Sequence, residues 1–160
     1  MAVLRPASRK RRERVTGMAR PVRLRDFAPE IDTFLEEVLT GLTKRAKEIP
    51  SKFFYDERGS RLFEEITRLD EYYPTRTEVG ILQRNIEDIA GCVGHHAMLI
   101  EYGSGNSEKT TILLDHLPDL AAYVPIDISK EHLVASARRI AARYPGLEVL
   151  PVAGEMNRFE

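Results

Sequence analysis

The feature that most constrains this fold is a change of hydrophobic period near residue 97. Before it, apolar residues recur every three or four positions. After it, short apolar runs alternate with helical stretches. Ala97–Tyr102 is a brief run of β-type content followed by Gly103-Ser104-Gly105-Asn106. A helix is predicted over Ser107–Leu117, stopped by Pro118, and Tyr123–Ile128 reads as a second strand. Ser129 then caps a helix whose Leu133, Val134, Ala137, Ile140 and Ala141 share a face. After the Pro145-Gly146 turn, Leu147–Ala153 is a third strand. Strand, helix, strand, helix, strand predicts an α/β fold with a parallel sheet and right-handed crossovers.

The upstream segment reads as helical. Ile31, Phe34, Leu35, Val38, Leu39 and Leu42 place one apolar face on a first helix, Ile31–Lys47, ended by Pro50. Ser60 is expected to cap a short helix with Leu62, Phe63, Ile66 and Leu69 inward. Thr75-Arg76-Thr77-Glu78 has the pattern of a capping box, in which a hydroxyl and a carboxylate three residues on satisfy two orphan N–H groups. The helix it opens is predicted to run to about Ala90, burying Val79, Leu82, Ile86, Ile89 and Ala90.

Charge divides the chain differently. Residues 1–25 carry nine basic side chains against Glu13, a net of +8, so the overall −1 leaves −9 on the remainder. A basic arm suits nucleic acid, an anionic surface or an import signal, but without an apolar stripe it is expected to be a disordered, solvated tail. Met18 is an alternative start for the ordered body. An acidic body argues against nucleic acid as a partner. No window approaches the roughly 18 apolar residues of a membrane span, so no membrane partner is expected. The single cysteine, Cys92, excludes a disulfide framework and fits a cytoplasmic location. The four histidines lack metal-ligand spacing, so no metal site is expected.

The chemistry is concentrated at the strand ends. In open α/β sheets ligands sit outside the carboxyl ends of the strands. Glycines there let a backbone turn where a Cβ would block it. Asp127 ends the second strand 24 residues after Gly103, near the offset expected of an acid that accepts from a ribose diol. A dinucleotide site wants a third small residue where this chain has Glu108, whose charge opposes phosphates. The loop is better suited to S-adenosylmethionine, which has no phosphate and carries a sulfonium and an ammonium. Glu101 is a candidate to hold that ammonium.

Several blocks then resemble one family. They are Lys52-Phe53-Phe54-Tyr55-Asp56, Gly59-Ser60, Leu62-Phe63, Ile66-Thr67, Glu71-Tyr72-Tyr73-Pro74-Thr75-Arg76-Thr77-Glu78, Glu101 with Gly103-Ser104-Gly105, Ser107-Glu108-Lys109-Thr110 and Pro125-Ile126-Asp127. Over about residues 28–155 the chain resembles the histidine-specific S-adenosylmethionine-dependent methyltransferases, which include the ergothioneine-pathway enzyme acting on the α-amine of L-histidine. The resemblance implies a class I methyltransferase, Rossmann-like sheet preceded by a helical segment. It implies cofactor contacts at Gly103, Lys109 and Asp127, and adenine contacts at Glu155 and Met156, where the family usually has Asp followed by an apolar residue. It implies substrate-site tyrosines at Tyr55 and Tyr72, and an amino-acid substrate methylated by in-line attack of its neutral amine. No catalytic acid or base is identified.

The organisation expected on this basis is a tail over 1–25, a helical substrate-site segment over 26–94 and the first part of the cofactor domain over 95–160. Such sheets carry more strands than three, so the chain is expected to be truncated. Its outer strand, Leu147–Ala153, is then an unpaired apolar edge that promotes association. Two other readings stay open: a cofactor-binding remnant without activity, and a methyltransferase of the same family with another amine acceptor.

Overall fold

The computed structural model describes residues 21–27, 34–105, 107–117 and 119–154, together with the backbone of 2–4. In chain order the elements are β1 (Ala2–Leu4), β2 (Arg25–Asp26), α1 (Phe34–Thr43), a 3-10 turn at Ser51–Phe54, α2 (Glu57–Ile66) and α3 (Pro74–Arg84). There follow α4 (Ile86–Val93), β3 (Met98–Tyr102), α5 (Glu108–Leu114), β4 (Ala122–Asp127), α6 (Lys130–Arg143) and β5 (Val152–Ala153).

The predicted α/β frame is present. β3, β4 and β5 pair in parallel, with α5 and α6 as the two crossovers. β4 is buried along nearly its whole length, as a parallel strand covered on both faces must be. Leu99, Leu114, Tyr123, Ala137, Ile140, Ala141 and Val149 form one core cluster. Ile86, Val93, Ala97, Leu113 and Leu117 form another, where α4 meets α5.

The sheet is wider than three strands. Its order is β1-β3-β4-β5-β2, with β2 parallel to β5 and β1 antiparallel to β3. The sequence reading placed no strand before Ile31, because two or three residues carry too little periodicity to register. The outer strand is also corrected. β5 is only Val152–Ala153, preceded by a single bridge from Val149 to Tyr123. Its far side is met by β2, with Arg25 N–H donating to the Pro151 carbonyl (2.9 Å) and Phe27 N–H to the Ala153 carbonyl (2.7 Å). The edge expected to be open is thus partly paired. Basic residues 5–20 lie outside the described residues.

Helix boundaries moved for local reasons. The first helix is described over Phe34–Thr43 rather than Ile31–Lys47, with 31–33 outside the described residues. Asp56, not Ser60, caps α2, its carboxylate accepting from Gly59 N–H at 2.6 Å. No capping box forms at Thr75–Glu78. Pro74 opens α3 at a position where a missing N–H costs nothing. The single helix expected to reach Ala90 divides at Asn85, whose side-chain amide donates to the Ile81 carbonyl. Of the residues assigned to its inner face, Ile86 alone is fully buried. The stripe of α2 was expected inward, yet Leu62 and Phe63 are exposed, as are Leu35 and Leu39 on the apolar face of α1.

Candidate functional site

The carboxyl ends of β3, β4 and β5 are tied together by Asp127. One carboxylate oxygen accepts from Gly105 N–H at 3.1 Å and the other from Ser129 N–H at 2.9 Å. The Asp127 backbone carbonyl accepts from Gly154 N–H at 3.1 Å. Asp127, rather than the Ser129 hydroxyl, therefore satisfies the backbone ahead of α6. Gly103 and Ser104 N–H groups both donate to the Ile126 carbonyl, which folds the glycine loop back over β4.

Gly103 and Gly105 both have positive φ, +66° and +49°, and a Cβ at either would meet no atom within 4 Å. The loop thus has a backbone that glycine adopts without strain, and open space lies beside it. The Ser104 and Ser129 hydroxyls are buried at its base without a protein partner. The anionic acceptor at a strand end and the open space beside the glycines suit a ribose-bearing ligand.

Beside this loop runs a cleft of about 380 Å³, whose walls include Glu78, Leu82, Glu101, Gly103, Lys109 and Leu113. The Lys109 ammonium donates to the Glu78 carboxylate at 2.8 Å, linking α5 to α3 across the cleft. Tyr55 and Tyr72 are outside these walls, on the helical region. Tyr55 is exposed at the end of the 3-10 turn. Tyr72 is half-buried, with its ring edge-on to Phe63 at 5.9 Å. The structure thus brings Gly103 and Lys109 together in the cleft and sets Asp127 against the adjoining loop, and neither tyrosine lines that cleft. Glu155 and Met156 lie outside the described residues, as do Asn106 and the Glu108 side chain.

Glu101 has a role the sequence did not disclose. Its Oε2 accepts from the Thr110 hydroxyl (2.5 Å) and from the Tyr123 hydroxyl (2.6 Å). Tyr123 also meets the Ser107 hydroxyl at 3.3 Å, and Ser107 meets Ser136 at 2.8 Å. This buried chain joins β3, β4, α5 and α6. Ser107, in this chain, has a left-handed conformation, φ 57°, which costs a non-glycine residue energy and persists where the surroundings impose it. Burial pushes the Glu101 carboxyl above its ordinary range, against the two hydroxyl donors and Lys109, which act to lower it. Burial and the adjoining Glu101 carboxylate push the Tyr123 hydroxyl up as well. Tyr123 and Ser136 were missed because each sits in an apolar run and reads as packing. Thr110 was visible only as part of a sequence block.

Arg76 was also missed. Its two guanidinium nitrogens donate to the Leu69 and Asp70 carbonyls at 2.7 and 2.6 Å, clamping the turn that carries Tyr72. Lys52 pairs with Glu37 at 2.8 Å, and Phe53 meets Phe34 edge-on at 4.7 Å, docking the Tyr55 segment on α1. A larger groove of about 630 Å³ lies between α2 and α6, lined by polar and charged groups such as Arg61, Glu64 and His132, and holds none of the predicted site residues. Among the described residues no group of three or more histidines, cysteines or acids is placed to hold a metal ion, and no helix is long and apolar enough to cross a membrane.

Compared with known families, residues 34–159 match the one described as "Histidine-specific methyltransferase, SAM-dependent". Among curated proteins, the chain is 45% identical over 124 residues to a histidine N-alpha-methyltransferase of Mycolicibacterium smegmatis, covering 76% of this chain and 38% of that protein. It is 44% identical over 124 residues to the protein of the same name from Mycobacterium tuberculosis, with the same coverage of both chains. It is 34% identical over 117 residues to ergothioneine biosynthesis protein 1 of Neurospora crassa, covering 71% of this chain and 13% of that one. The chain thus spans well under half the length of the curated relatives it matches.

Proposed function

This chain belongs to the histidine-specific, S-adenosylmethionine-dependent methyltransferases, and we propose that the protein carries out methyl transfer from S-adenosylmethionine to the α-amine of L-histidine, the step its relatives' names describe. The observation that carries the reading is the convergence of the glycine loop, Asp127 and Lys109 at the strand ends. When bound, the cofactor supplies a methyl group made electrophilic by its sulfonium sulfur.

The chain's own residues have the following work. Asp127 accepts from the ribose hydroxyls through lone pairs that its two backbone N–H partners leave over. Gly103 and Gly105 keep the loop low enough for the nucleoside to lie against it. Lys109 is matched to the one anionic group of the cofactor, its carboxylate. Glu101 holds the loop and α5 in register from below. Glu155 and Met156 take the adenine end. Tyr55 and Tyr72 orient the amino acid, and Arg76 keeps the Tyr72 turn in place. Little acid–base chemistry is required beyond a deprotonated amine, so positioning is the main catalytic contribution.

Calorimetry tests the reading. S-adenosylmethionine or its demethylated product is expected to bind and NAD is not, and tighter NAD binding would overturn it. Asp127→Asn keeps the side chain's shape but weakens acceptance from the ribose. Hydrogen bonds to a charged group are worth about 1.5–3 kcal/mol each, so affinity is expected to fall at least tenfold. A smaller loss would remove Asp127 from the ribose site.

A further inference from the structure

We propose that Glu78 is a positioning residue for the cofactor, acting through Lys109, and that cofactor binding is thereby coupled to the seating of α3. The inference rests on the reading that Lys109 meets the cofactor. Glu78 has no capping role, since α3 opens on Pro74 with no side-chain cap. Instead its carboxylate accepts from the Lys109 ammonium at 2.8 Å across 31 residues of sequence. Both side chains line the cleft that also exposes Gly103 and Glu101.

A lysine ammonium has three donors on a flexible four-carbon stem. Glu78 uses one of them and fixes the stem, leaving two donors for an acceptor in the cleft. Removing the carboxylate leaves the charge of Lys109 intact but releases its direction, so the ordering cost falls on ligand binding. The pair is part-exposed, at 38% and 55% for the lysine and glutamate side chains, which limits its worth. Because Glu78 belongs to the helical region and Lys109 to the α/β region, linkage requires the effect to run both ways. A ligand that engages Lys109 steadies α3.

A double-mutant cycle on the full chain tests this by calorimetric titration of S-adenosylmethionine into wild type, Glu78→Gln, Lys109→Met and the double variant. Glu78→Gln is expected to weaken binding about threefold to fivefold, the upper part of the range open to an exposed pair. In the Lys109→Met background the same change is expected to have almost no effect. Equal losses in both backgrounds, or no loss in either, would overturn the proposal while leaving the Asp127 site standing. If wild type fails to bind at all, the functional reading fails first and this inference with it. Amide exchange gives a second measure that does not depend on titrating a weak variant. Ligand is expected to slow exchange along α3 in wild type and not in Glu78→Gln. Equal slowing in both would overturn the coupling.

Discussion

Helices α1 and α6 look alike in sequence and differ entirely in the fold. Each carries an apolar stripe at helical spacing. On α6, Leu133 and Ala137 are fully buried, whereas on α1, Leu35 and Leu39 are 66% and 54% exposed. Among the described residues, every fully buried hydrophobic side chain lies between Ile86 and Ala153. The lesson is that a stripe states which face favours burial and not what buries it. α6 is delivered onto the sheet by the short connection from β4. α1 is met by the Phe53 ring, edge-on to Phe34, and by the Lys52 ammonium, paired with Glu37.

The two stripes are expected to respond very differently to truncation. Leu133→Ala is expected to cost about 2–5 kcal/mol, the range for a buried leucine. Leu39→Ala is expected to change stability by no more than about 0.5 kcal/mol, as an exposed site should. Urea denaturation followed by circular dichroism reads both, and comparable losses would show that α1 is covered in solution.

A smaller effect sharpens the contrast in polar burial, which is strong in the α/β region and weak in α1–α3. Tyr123→Phe removes one of two hydroxyls from the buried Glu101 carboxyl and is expected to cost about 1–3 kcal/mol. The same site carries a pH signature. Burial raises the Glu101 carboxyl in the folded chain above its ordinary value near 4.5. Between those two values the folded state holds more protons than the unfolded one, so stability falls as pH rises through that window. Glu101→Gln is expected to flatten this fall in denaturation series run across acidic pH. An unchanged slope would assign the dependence to another group.

The smallest effect is expected where the two regions touch. His132 lies 3.6 Å from Glu64, joining α6 to α2. Glu64→Gln is expected to shift stability by less than about 1 kcal/mol, in keeping with a part-exposed pair. A larger loss in the melting transition would mean that the helical region depends on this contact for its place.

The glycine loop was legible because its requirements are local: at Gly103 and Gly105 glycine takes a positive φ without the strain that a side chain brings there. Asp127 was legible for a related reason, since the end of a strand is countable from the loop before it. Glu78 was misread because Thr75–Glu78 satisfies a local pattern that Pro74 pre-empts. The Tyr123–Ser107–Ser136 chain was invisible because its members are 16 and 29 residues apart and each is ordinary in its own segment.

The sequence by itself therefore determined the order of strands and helices in the α/β region, the turn at Gly103–Gly105 and the acid at the end of β4. These depend on hydrophobic period and backbone sterics, which act between near neighbours in the chain. Tertiary structure alone decided that residues 2–4 and 25–26 would flank the sheet, that Glu101 would be a buried acceptor and that Glu78 would reach Lys109. Strand pairing, desolvation and ion pairing act through space, and the strength of each is set by groups that the local sequence does not name.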